Sequence, residues 1–140
     1  MSPDKSRWMR ELALPATSAS VPTARRWVEQ LAAESGLNGE RLFEFVFAVS
    51  EALANAVKHG SPRGEQNQIT VLFSRLPKSV SIEIRDQGKG FELSPVCVPD
   101  ALAGEGRGIA FMRKLTDEAE FECGPDGTRV RLAMFCPLQD

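Results

Sequence analysis

Glu51 and Asn55 stand four residues apart in an apolar run that extends from Leu42 to Val57. On an α-helix that spacing puts both side chains on one face, about 6 Å apart along the axis. A carboxylate and an amide are out of place on an otherwise apolar helix, unless that helix forms one wall of a pocket for something charged. An asparagine oxygen can ligate Mg2+, a hard cation that favours oxygen donors and phosphates. A glutamate can act as general base toward an incoming hydroxyl, or position water. Two glycine clusters downstream, Asp86-x-Gly88-x-Gly90 and Gly104-x-Gly106-Arg107-Gly108, offer further walls. A carboxylate at a strand end, as Asp86 would be, can accept a hydrogen bond from the exocyclic amine of adenine; guanine presents a carbonyl there. Gly88 and Gly90 let backbone approach a base without a Cβ in the way. Gly104–Gly108 opens a helix, where free N–H groups and the helix dipole suit phosphates, and Arg107 can add a charge-assisted contact. These blocks describe an ATP site of the kind that moves a phosphoryl group.

The elements that position them can be read from periodicity. Arg7–Leu14 is a strand stopped by Pro15. Ser20 as N-cap and Pro22 at the first helical position open an amphipathic helix over Pro22–Ser35, with Ala24, Trp27, Val28, Leu31 and Ala32 at 3–4 spacing and Gly36 as left-handed cap. Asn38 caps the next helix, Gly39–His59. Its stripe of Leu42, Phe45, Val46, Val49, Leu53 and Ala56 is joined by a second apolar side of Phe43, Phe47, Ala54 and Val57. A helix apolar around most of its surface is expected to be deeply buried and central. Ile69–Arg75 and Val80–Arg85 alternate as a hairpin about Pro77–Lys78. Phe91–Ala103 has little periodicity, as a functional lid would. A short helix, Ile109–Leu115, follows the second glycine cluster. Ala119–Cys123 and Thr128–Phe135 form a second hairpin around Gly124–Gly127. Parallel β-α-β alternation is not maintained. The expected class is therefore α+β: a two-layer sandwich with a mainly antiparallel mixed sheet and helices on one face.

Composition narrows the partners. The 140 residues, 42% hydrophobic and 26% charged with net charge -2, suit one soluble globular domain and carry no basic excess for nucleic acid or anionic membrane. The cysteines at 97, 123 and 136 lack C-x-x-C spacing, which argues against a disulfide framework or zinc site and for a reducing cytoplasm. No apolar run approaches the roughly 20 residues that span a bilayer. The P-loop pattern is absent, and neither glycine cluster gives G-x-G-x-x-G, because position 93 is Leu and position 109 is Ile. His59, the only histidine, reads as a helix-ending imidazole near the last carbonyls rather than a phospho-acceptor.

The three blocks, in this order, resemble the GHKL (Bergerat-fold) ATPases, a superfamily built on a histidine kinase-like ATPase domain. Glu51–Gly60 looks like the N box, Asp86–Gly90 the first glycine box, and Gly104–Gly108 the second. Gly127–Thr128 resembles the late G-T, whose Thr backs the adenine-binding Asp. The run G-R-G-I-A-F-M-R-K-L-T-D-E-A-E-F, followed by G-T-R-V-R-L, is closest to the small bacterial anti-sigma-factor serine/threonine kinases. The resemblance implies one domain over 1–140 with an ATP lid at about 91–107. It places Asn55 on Mg2+ beside ATP, makes Glu51 the catalytic base for a serine or threonine of an anti-sigma-factor antagonist, and turns Lys58 toward a phosphate. It also implies a sigma factor as second partner and a homodimer. Some relatives carry Arg where this chain has Gly104; if that Arg holds phosphate or partner, either Arg107 substitutes for it or catalysis is weak. Two alternatives stay open: a nucleotide-dependent partner-switching module without phosphoryl transfer, which would have no need of Glu51 as a base, and a switch kinase that binds no sigma factor.

Overall fold

The computed structural model describes residues 7–59, 66–86, 112–124 and 127–135. Its order is β1 (Trp8–Pro15), α1 (Ser20–Glu34), α2 (Gly39–His59), β2 (Gln68–Leu76), β3 (Ser79–Asp86), β4 (Glu118–Gly124) and β5 (Gly127–Phe135), with residues 112–115 helical ahead of β4. The five strands form one sheet in the order β1-β2-β3-β5-β4, and every pairing among them is antiparallel.

Register gives the sheet two different faces. Val71, Ile84 and Val130 are opposite one another across β2, β3 and β5, as are Phe73, Ile82 and Leu132; all six are buried. Shifting by one residue brings Thr70, Arg85 and Arg129 into line, and likewise Leu72, Glu83 and Arg131. That second face carries an ionic lattice. Arg85 bonds Glu83 at 2.5 Å, Arg129 reaches both Glu83 and Glu122, and Arg131 bonds Glu120 at 2.9 Å. The Glu122 hydrogen bond and charge raise the Arg129 pKa further above its already high value. Period-2 alternation thus fixes which face meets helices and which meets water.

α1 and α2 pack on each other and on the apolar face. α1 begins two residues before the expected Pro22, and Ser20 is not its cap. The turn at 17–20 is already helix-like, with Ser20 N–H donating to Thr17 O and Val21 N–H to Ser18 O, so Ser20 enters the helix and Ala19 precedes it without a side-chain cap. Pro22 is tolerated there because the first-turn N–H groups have no intrahelical acceptor. The C-terminus follows expectation. Leu37 N–H donates to Ala32 O, Gly36 N–H donates to Ala33 O, and Gly36 takes φ +105°, a Schellman closure that favours glycine. α2 buries Phe45, Ala48, Val49, Ala52, Leu53 and Ala56. Its second apolar side is not buried as expected: Phe43 is 68% exposed and Phe47 37%, their rings 6.2 Å apart. Two layers enclose only one side of α2, and those phenylalanines fall outside it. No described helix is long and apolar enough to cross a membrane.

Candidate functional site

α2 lies along the strands, and its direction sets the layout of the site. It packs on β3 and β5, whereas a helix crossing the sheet would meet more strands. Its first turn is tied down by Arg41, whose Nη2 donates to Asp117 Oδ2 and to Phe135 O, both at 2.6 Å. Phe135 pairs with Ser79, the first residue of β3. The start of α2 therefore lies over the start of β3. Twenty-one helical residues span about 31 Å and eight strand residues about 26 Å, so α2 ends near the end of β3. Asp86 is the last residue of that strand.

Asp86 is buried, at 8% exposure, and its Oδ1 accepts a hydrogen bond from the Thr128 N–H at 2.9 Å. The carboxylate is thus held by backbone from the neighbouring strand, which fixes its orientation. A carboxylate has lone pairs for several donors, so the bond from Thr128 does not by itself exhaust it. The Thr128 hydroxyl is buried without a hydrogen-bond partner among the described residues. Thr128 meets Asp86 through its N–H, and its Oγ1 remains available.

On α2, Glu51 and Asn55 are half-buried and Lys58 is exposed. At about 100° per residue the three fall within roughly 60° of one another around the axis. That face adjoins the buried arc without belonging to it. Asn55 Nδ2 is sealed from solvent and has no hydrogen-bond partner among the described residues. Leaving such a group unsatisfied costs about 1–3 kcal/mol. The helix, the direction of α2 and the strand end therefore bring Asn55, Glu51, Asp86 and Thr128 to one end of the molecule. Gly88, Gly90, Gly104, Gly106, Arg107 and Gly108, with the lid expected at 91–107, lie outside the described residues, as does the start of the helix expected from Ile109.

Residues 14–134 match the family described as the histidine kinase-like ATPase domain. The chain belongs to that family. Serine-protein kinase RsbW of Bacillus licheniformis is 27% identical over 135 residues, covering 89% of this chain and 84% of the relative. RsbW of Bacillus pumilus (strain SAFR-032) is 29% identical over 137 residues with the same coverage. RsbW of Listeria innocua is 32% identical over 82 residues, 59% of this chain and 52% of the relative. A crystal structure of the RsbU and RsbW domains of Rv1364c from Mycobacterium tuberculosis superposes with a TM-score of 0.70 at 23% identity, over 94% of this chain. This chain spans about a third of that one, which it resembles in fold.

In this histidine kinase-like ATPase domain, Asn55 is suited to a nucleotide-bound Mg2+. That ion keeps several waters and takes one or two protein oxygens plus phosphates rather than an all-protein cage. Among the described residues no group of three or more His, Cys, Asp or Glu could hold a metal. An amide carries a donor end for phosphate oxygen and an acceptor end for a cation, and the two ends can exchange by a flip. The unsatisfied Nδ2 is a donor that fits a phosphate oxygen, and Oδ1 is the end that could ligate the cation. Two further features had no sequence signal. The Arg41–Asp117 contact joins residues 76 positions apart, a pairing that only the tertiary fold creates. The exposed Phe43–Phe47 pair has the same helical periodicity as a core stripe.

Proposed function

We propose that this protein is an ATP-dependent serine/threonine kinase of the partner-switching kind: it phosphorylates an anti-sigma-factor antagonist, and in its alternate state it holds a sigma factor. ATP is its substrate together with Mg2+. The observation that carries the reading is the Asn55 Nδ2, sealed from solvent and without a hydrogen-bond partner among the described residues, one helical turn past Glu51 on a helix that runs toward the backbone-anchored Asp86. The RsbW serine-protein kinases among its relatives support the same assignment.

The residues divide the work. Asp86, oriented by Thr128, accepts from the adenine amine and selects that base. Gly88 and Gly90 give the base close backbone, while Gly104, Gly106, Gly108 and Arg107 receive phosphate oxygens, with Lys58 adding charge. Asn55 would hold Mg2+, which would supply positive charge against that of the phosphates. Glu51 accepts the proton of the acceptor hydroxyl. That oxygen bonds to the γ-phosphorus as the bond to the β–γ bridging oxygen breaks, and ADP leaves. Such a transfer needs positioning and charge neutralisation more than covalent help from the protein. A cytoplasmic homodimer, each copy one domain over 1–140, completes the proposal.

The test incubates the protein with γ-labelled ATP, Mg2+ and each small anti-sigma-factor antagonist of the same genome. Label is expected on a serine or threonine of one antagonist. Glu51→Ala should lower transfer by about 10²–10⁴-fold while ATP affinity survives. ATP binding without label in any combination would leave a nucleotide-dependent interaction module in place of the kinase, and a pull-down with sigma factors decides the second partner.

A further inference from the structure

The exposed phenylalanines of α2 lie on the four-residue row that leads to Glu51, turned from it about the axis by about 40° at Phe47 and about 80° at Phe43. Phe43, Phe47, Glu51 and Asn55 follow one another at four-residue steps, one helical turn each. Phe43 and Phe47 pack ring to ring, yet they remain 68% and 37% exposed. The Arg41 clamp fixes their place: they lie toward the Phe135 end of the sheet, with Asp86 at the far end. Along α2 the order is thus Phe43, Phe47, the base Glu51, the amide Asn55, and then the strand end that would take adenine.

This order identifies the side from which an acceptor must come. In phosphoryl transfer the attacking and leaving oxygens are roughly in line. A nucleotide held between Asp86 and Asn55 fills the C-terminal side of Glu51. The acceptor hydroxyl must reach Glu51 from the opposite side, across Phe47 and Phe43. A small-molecule acceptor would have no use for two exposed rings one and two turns away, whereas a protein surface would cover them. Aromatic rings of this kind supply much of the binding energy when a partner desolvates them.

The geometry points to Phe43 and Phe47 as the seat for the acceptor protein, receiving an apolar side chain that flanks the serine or threonine to be phosphorylated. This inference rests on the kinase reading above and names where its protein substrate docks. The occupant is the antagonist, bound with its hydroxyl at Glu51.

The experiment uses Phe43→Ser, with Phe43→Leu as the conservative control, in the full chain. Affinity for the antagonist is measured by calorimetry in the presence of a non-hydrolysable ATP analogue, beside the KM and kcat of labelled transfer and the affinity for the analogue itself. Phe43→Ser is expected to weaken antagonist binding and raise its KM by about 10-fold or more, to leave analogue affinity and kcat at saturating antagonist unchanged, and to be largely rescued by Phe43→Leu. Unchanged antagonist affinity and KM in Phe43→Ser would overturn the docking surface while leaving the kinase reading intact. A change from dimer to monomer in Phe43→Ser, by sedimentation, with antagonist affinity per folded chain unchanged, would overturn it in favour of a second copy as occupant. Binding that depends on Phe43 with no phosphate transferred by the unaltered protein would sustain the surface and sink the kinase. Absence of any antagonist binding would overturn both.

Discussion

Replacing Asp86 by Asn separates the structural duty of this side chain from its ligand duty. Oδ1 of Asp86 accepts from the Thr128 N–H at 2.9 Å in a site only 8% exposed. Asparagine can retain that bond by turning its carbonyl toward Thr128, so this bond should weaken by no more than about 1 kcal/mol, the difference between a charge-assisted and a neutral hydrogen bond. The other end of the side chain then becomes an NH2 group. Where the carboxylate would have accepted from the adenine amine, two donors face each other. The lost charge-assisted bond is worth about 1.5–3 kcal/mol, which converts to a 10–150-fold weaker ATP complex, before any repulsion between the donors. Guanine presents a carbonyl at that position, so the ratio of GTP to ATP affinity should rise in the same variant. Calorimetric titration with ATP and GTP, beside urea unfolding of the free protein, reads both quantities. Asp86→Ala is the contrast: it strands the buried Thr128 N–H and should lose about 1–3 kcal/mol of stability as well as ATP binding. If Asp86→Asn binds ATP as tightly as the unaltered protein while its unfolding midpoint also holds, Asp86 does not meet the base, and the adenine site must be sought elsewhere.

Asn55→Ala removes a half-buried amide whose Nδ2 is sealed from solvent and has no hydrogen-bond partner among the described residues. Stability by urea unfolding should hold or rise slightly, while the dependence of ATP affinity on Mg2+, titrated with and without chelator, should flatten; a large loss of stability would mean that the amide serves the fold. Gly36→Ala forces a Cβ onto a backbone at φ +105° with open space around it, so the penalty is conformational alone. About 1 kcal/mol of stability should be lost, with ATP affinity unchanged.

The parts of the fold that repeat along the chain were readable; the parts set by distant partners were not. The alternation of Val80, Ile82 and Ile84 with Ser81, Glu83 and Arg85 announces a half-buried strand, and the register of β3 with β2 and β5 puts those isoleucines on the helix-covered face. The helix over Gly39–His59 was legible end to end, because its stripe is long. What α2 does with its second apolar side was not. A phenylalanine four residues from another satisfies the same periodicity whether it meets a sheet, a partner or water. Only the number of layers decides, and no local pattern encodes that. At Ser20 the preference of serine for a cap competed with a turn that was already helical, and the turn won. For the site, Glu51, Asn55, Asp86 and Thr128 could be named from spacing and resemblance, yet the Thr128 N–H that orients Asp86 is a backbone group with no sequence signature. The glycines at 88, 90, 104, 106 and 108 and Arg107 rest on the motif alone.

One consequence of the layout concerns how the site is kept in place. Glu51 and Asn55 belong to α2, Asp86 and Thr128 to the sheet, so their alignment depends on how α2 sits over β3 and β5. The buried side chains of α2 resist its lifting, since Phe45 and Leu53 each contribute about 1.5–3 kcal/mol by leaving water. Apolar packing is less specific about sliding along the strands, because it is non-directional. Directional contacts help fix the axial position, and one on α2 is Arg41, shared between Asp117 Oδ2 and Phe135 O, with Asp117 also accepting from the Phe135 N–H at 2.7 Å. That contact sits at the end of the helix away from Asn55 and acts on the ligand end through the stiffness of the helix. A slide of one residue rise, about 1.5 Å, would carry Asn55 out of the short reach of metal and phosphate contacts. The clamp and the site are therefore opposite ends of one rigid rod.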